Sequence, residues 1–210
     1  MANTNKPFGF SPWKYRDGSP WNGGGNVYYI PTGDTNVYTI GDPVISAAGM
    51  DSNGVPQVAI ATGTSTIRGV IVGVIPVAPS NSLVGSTLAL ESLIIPATKA
   101  KDYYVLVCDD PNVIYKAQMD NGTITGSAAL STTANKNCSF TVNSGTGTFS
   151  NAVLGAATIN TTNTLNVKLF GLVIDPQVNA GVSLTGTTGQ YAVYQCMFNE
   201  HEFIGNTAGV

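Results

Sequence analysis

The sequence predicts an all-β fold: an antiparallel β-barrel or jelly-roll-like sandwich with an extended N-terminal arm and a Thr/Ser/Asn-rich looped flap. Three observations lead there. Short runs rich in β-branched and aromatic residues recur at 27–31, 37–44, 57–61, 67–77, 103–108 and 113–119, and such side chains pack well on a pleated surface. Turn-forming residues separate these runs at the regular spacing of a closed barrel or sandwich. Charged residues make up only 10% of the chain and hydrophobic ones 43%, against ~25% charged in an average soluble domain. The chain therefore lacks the low hydrophobicity and high net charge that keep a polypeptide disordered.

Residues 1–25 read as the arm. Pro7, Pro12 and Pro20 punctuate it, Gly23 to Gly25 end it, and neither helix nor strand periodicity shows. Its aromatic residues Phe8, Phe10, Trp13, Tyr15 and Trp21 are too apolar to leave in water, since each fully buried large side chain stabilises by roughly 1.5–3 kcal/mol. The arm must dock, either on its own domain or on a neighbouring subunit or another protein. Phe8, Phe10, Trp13, Lys14, Arg16 and Trp21 are its candidate contact residues.

Residues 26–210 form a single β-domain, a length sufficient for a sizeable core. Asn53-Gly54 and Asn121-Gly122 accept the positive φ angles of tight hairpins. In Asp109-Asp110-Pro111-Asn112, Pro111 presets a type I turn that Asp110 can cap, joining two strands. Gly69, Gly73 and Gly171 fall inside strand runs and mark bulges or barrel corners. Residues 127–135 are the one short-helix candidate, and the tract that follows reads as hairpins with long loops. On this reading 121–166 is a protruding insertion, the flap. A strand over 165–174, an Asp175-Pro176 turn and a last strand over 190–198 close the chain.

Between Asp120 and Lys168 the only charged side chain is Lys136. A Gly-rich, weakly charged surface does little to oppose association and suits a permanent assembly. Nine Lys and Arg against twelve Asp and Glu leave no clustered cationic field for a phosphate backbone, so no direct nucleic-acid partner is expected. The most apolar stretch, 70–78, is broken by Gly73 and Pro76 and is far shorter than the ~20 residues of a membrane helix, so no membrane partner is expected. MANTNKPFGF carries no apolar leader or small-residue cleavage site, and synthesis in a cytoplasm follows. There the three cysteines, Cys108, Cys138 and Cys196, are expected as buried, reduced thiols. The sequons at Asn121, Asn137 and Asn160 carry no meaning in that compartment.

Residue chemistry argues against an enzyme. The sole histidine, His201, has a glutamate on either side but no HExxH or HxH around it, and a metal site needs at least three ligands. It reads as a partly exposed terminal histidine. Asp51-Ser52-Asn53-Gly54 looks like half of a calcium loop without its distal glutamate, and reads as a hairpin turn. Asp109 and Asp110, as strand neighbours, point to opposite faces and cannot share a proton. Gly145-Thr146-Gly147 lacks the third glycine and the helix of a dinucleotide loop, and no GxSxG elbow occurs. No catalytic residue, metal ligand or cofactor is expected.

Several strings, taken in order, carry a likeness: Pro7-Phe8-Gly9-Phe10, Ile40-Gly41-Asp42-Pro43-Val44, Gly69 to Val74, Asp109 to Val113, Lys136-Asn137-Cys138, Val167 to Pro176 and Asn199-Glu200-His201. The chain resembles the decoration, or cement, proteins of tailed bacteriophage capsids over nearly its whole length, with the stretch 145–164 as the least transferable part. The resemblance implies a β-rich protein on the outer surface of the virion, bound to a lattice of major capsid protein and stabilising the expanded, DNA-filled head by bridging subunits. An oligomer that touches several capsid subunits at once gains avidity. A homotrimer is favoured over a homodimer, to cover sheet edges and apolar patches. A carbohydrate-binding or host-adhesion module is the alternative, because Thr/Asn/Gly-rich β-proteins can stack sugars on exposed aromatics.

Overall fold

The computed structural model describes residues 4–75, 94–120, 133–142, 149–173 and 191–204. In chain order its strands are β1 (Ser11–Tyr15), β2 (Asn26–Ile30), β3 (Tyr38–Thr39), β4 (Pro43–Met50), β5 (Pro56–Ile60), β6 (Gly69–Ile75) and β7 (Ile94–Ile95). Then follow β8 (Tyr103–Cys108), β9 (Val113–Gln118), β10 (Asn137–Cys138), β11 (Phe140–Thr141), β12 (Val153–Leu154), β13 (Val167–Leu172) and β14 (Val193–Phe198). The fold is all-β, as the sequence predicts.

Five strands close a barrel in the order β2-β5-β4-β6-β8. The seams are antiparallel except β2–β5, which meets in parallel at Tyr29 and Gln57. Alternation fills the interior: Tyr28, Val44, Val58, Ile71, Val105 and Val107 point inward and are buried together, each removing apolar area from water at about 25 cal/mol per Å². At Gly73 the β6–β8 register slips by one residue, the bulge that a mid-strand glycine signals. At Gly69 a Cβ would lie 2.4 Å from the Cys108 carbonyl oxygen. The Asn53-Gly54 hairpin joins β4 to β5, with Gly54 at φ 84° and the Asp51 carboxylate accepting the Asn53 and Val55 amides at 2.8 Å each.

The Asp109–Asn112 turn carries the chain out of the barrel and into a second layer, a five-stranded sheet ordered β1-β9-β14-β13-β10. Asp110 closes that turn by accepting the Asn112 amide at 2.8 Å. One face of the sheet, with Tyr115, Tyr194, Cys196 and Leu169, builds a core that Val70 and Cys108 from the barrel complete. Barrel and sheet thus share buried side chains. A second register slip lies at Gly171.

The arm differs from the sequence expectation of a segment without strand structure. Ser11–Tyr15 is an edge strand paired with β9, and its alternation is hidden because Trp13 is an extra, bulged residue between Pro12 and Lys14. Phe10 is 1% exposed and sits among the rings of Tyr115, Phe140 and Phe198, with centroids 5.1–6.4 Å away. The arm docks on its own domain. Both outer edges of the sheet are covered: the chain turns back on β1, with the Tyr15 amide bonded to Ser19 and the Trp21 amide to Trp13, and Asn160 pairs with Asn137 on β10.

Of the helix expected over 127–135, only the end lies among the described residues: Thr133 is helical there, and Ala134 and Asn135 turn out of it, with Asn135 at φ 64°. The Asn121-Gly122 hairpin, Gly145-Thr146-Gly147 and the Asp175-Pro176 turn lie outside the described residues.

Candidate functional site

Two glycines let the arm cross the barrel. Gly9 (φ 71°) and Gly41 (φ 96°) abut: a Cβ on Gly9 would lie 2.4 Å from the Gly41 carbonyl oxygen, and one on Gly41 would lie 2.5 Å from the Phe8 carbonyl oxygen. Glycine is required on both counts, by space and by φ. The Phe10 amide then donates to the Gly41 carbonyl at 2.9 Å. Asp42 secures the crossing from beneath. Its carboxylate accepts the Ser150 hydroxyl at 2.5 Å, and the Thr39 amide and hydroxyl at 2.7 and 2.9 Å. Burial pushes the Asp42 pKa up, against the lowering effect of those bonds.

Beside the crossing is an open cleft of about 260 Å³, walled by Phe8, Pro12, Trp21, Ile71, Val72 and Phe149. Phe149 is 54% exposed. The bulge aims Trp13 outward, and the Lys14 and Lys116 ammonium groups lie 4.4 and 4.5 Å from its ring centroid. Cation–π contacts of this exposed kind contribute about 0.5–1 kcal/mol each.

The sequence-derived contact residues therefore divide. Phe10 is withdrawn from any contact by burial, which corrects its candidacy. Phe8 and Trp21 are half-buried and wall the cleft, while Trp13 and Arg16 are exposed and Lys14 is half-buried on the outer side of β1. Lys116 joins them from β9; only the β1–β9 pairing, invisible in sequence, brings it there.

His201 is also corrected. It is 1% exposed, not a partly exposed terminal residue, because the chain around it runs beside Ile67: the Ile67 amide donates to the Glu200 carbonyl and the Glu202 amide to the Ile67 carbonyl, both at 2.9 Å. Its Nδ1 accepts the Phe203 amide at 3.1 Å, its Nε2 has no partner, and burial pulls its pKa down to about 4. A polar chain fixes the neighbouring residues. Asp109 accepts the Tyr28 hydroxyl at 2.6 Å, that hydroxyl accepts Arg68 Nε at 2.8 Å, and Arg68 pairs with Glu202 at 3.3 Å. Glu202 in turn accepts the Ser46 amide at 2.7 Å. Asp109 is thus a structural anchor, which its turn position alone does not reveal.

All three cysteines are free and buried, and burial pushes the Cys138 thiol up to about 12. Such thiols are poor nucleophiles. Comparison with family models, curated proteins and solved structures finds no match to this chain.

Proposed function

We propose that this chain is a structural virion protein, a decoration or cement protein that binds the outside of a major capsid protein lattice. It stabilises the expanded, DNA-filled head of a tailed bacteriophage by bridging neighbouring capsid subunits, and it performs no catalytic step. The observation that carries the reading is a closed barrel whose five strands contain no charged residue. A monomer living free in solution gains solubility from charge on such walls; a wall that packs against other subunits does not need it. The outer sheet edges are covered, so they do not call for an oligomer; we propose a homotrimer ahead of a homodimer on the uncharged barrel walls alone, associating through side-chain faces rather than strand addition. Selective binding to the expanded lattice would stabilise that state by mass action.

A carbohydrate-binding role keeps less support: the described part of 121–166, expected to protrude as a flap, instead lines the core through Cys138, Phe140, Ala152 and Leu154, and of its two aromatics only Phe149 is exposed. The test is co-sedimentation of the full chain with expanded and unexpanded capsids that lack a decoration protein. Saturable binding to the expanded form alone is expected. Absence of binding to either form overturns the proposal, and retention on a glycan column instead favours the adhesion reading.

A further inference from the structure

We infer that the outer side of β1 is a docking surface for an extended acidic segment of a partner protein, with carboxylates at alternate positions. The inference rests on the lattice-binding reading for the partner's identity, and on the following geometry for its chemistry. Four of the nine Lys and Arg residues are laid along this edge at successive rungs of β9. The Arg16 amide bonds to the Asn112 carbonyl, Lys14 stands opposite Ile114, Lys116 is itself the next rung, and the Lys6 amide bonds to the Gln118 side chain. Alternate residues of a strand are about 6.7 Å apart, so the row is about 20 Å long. An extended segment with an acidic residue at every second position has the same repeat.

Among the described residues no carboxylate forms an ion pair with the cations on this row: the pairs are Arg68–Glu202 and Lys99–Asp34, and neither involves Lys6, Lys14, Arg16 or Lys116. Lys14 and Lys116 both lie within 4.5 Å of the Trp13 ring centroid, so two like charges are held on one ring. A carboxylate set between them relieves that repulsion. A nucleic-acid strand fits less well: to stack on the Trp13 ring its base would have to displace the two ammonium groups held there, and a formal net charge of −3 opposes a long polyanion more than a short segment.

The test titrates the full chain, at low ionic strength where surface charges are least screened, against a labelled alternating Glu-Thr peptide, its Gln-Thr counterpart and an oligothymidylate of matched charge. Fluorescence anisotropy reports binding. The acidic peptide is expected to bind and the Gln-Thr peptide not. The Lys14→Gln/Lys116→Gln double variant is expected to bind at least ~10-fold more weakly, about 1.4 kcal/mol, while Lys136→Gln binds normally. Circular dichroism melting confirms that the variants fold. No peptide binding, undiminished binding by the double variant, or tighter binding of the oligothymidylate overturns the inference. Peptide binding without capsid binding would instead refute the lattice reading and leave this surface standing; capsid binding undiminished in the double variant would do the reverse.

Discussion

Phe10→Ala is expected to destabilise the chain by about 4 kcal/mol, in the upper part of what a buried phenylalanine costs on truncation (about 3–5 kcal/mol). The placement follows from the packing: the ring is 1% exposed and meets three other rings at centroid distances of 5.1, 5.6 and 6.4 Å, and aromatic pairs add about 0.5–1.5 kcal/mol each beyond area burial. For a domain of this size, roughly 2–4 °C of Tm is lost per kcal/mol, so the expected drop is about 8–16 °C. Trp13→Ala is the matched control, because that ring is 36% exposed and its loss removes two surface cation–π contacts of about 0.5–1 kcal/mol each. Urea unfolding followed by far-UV circular dichroism gives both differences. If Phe10→Ala costs no more than Trp13→Ala, the arm is not part of the core and is free to serve wholly as an external anchor.

Two further outcomes are expected. His201 has a folded pKa of about 4 against an ordinary 6.5, so the fold favours its neutral form. Its stabilising contribution is full above about pH 6.5 and is lost as pH falls toward about 4, by about 3 kcal/mol in all. Urea midpoints compared at pH 7, 5.5 and 4.5 in wild type and His201→Gln should therefore converge on acidification, and parallel curves would refute the burial argument. Gly41→Ala drives a methyl to 2.5 Å from the Phe8 carbonyl oxygen at φ 96°. A positive φ alone costs a non-glycine residue about 1–3 kcal/mol, so a Tm loss larger than that of Gly54→Ala, whose Cβ would meet nothing within 4 Å, is the expected readout.

Most of the long strands were legible in the sequence because their signal is local; the exception is the longest, β4, since the run expected at 37–44 spans β3 and only the first two residues of β4. The run at 103–108 coincides with β8, and those at 57–61 and 113–119 lie within one residue of β5 and β9. β1 was not legible, since Pro12 and the bulged Trp13 break its alternation, and the two-residue strands β3, β7, β10, β11 and β12 are too short to carry a period. The arm's aromatic content announced that it docks, but not where. That depends on Gly9 meeting Gly41 and on Ser150 reaching Asp42, 108 residues away in the chain. The burial of His201 has the same origin, as its segment is tied to the barrel by the Arg68–Glu202 pair, 134 residues apart.

The position of β9 has a consequence for how the chain is made. Its two neighbours are β1, from residues 11–15, and β14, from residues 193–198, so the sheet is completed only when both extremities of the described chain are at hand. At about 5–20 residues per second, translation takes roughly 4–16 s to travel from β9 to the end of β14. The barrel, whose strands all lie between residues 26 and 108, is complete by then. During that interval β9 offers one unsatisfied backbone edge and half of an apolar core to whatever is near, and pairings this distant in sequence form slowly. Truncation before residue 193 therefore leaves a finished barrel carrying an open strand, the form in which this protein is most exposed to aggregation.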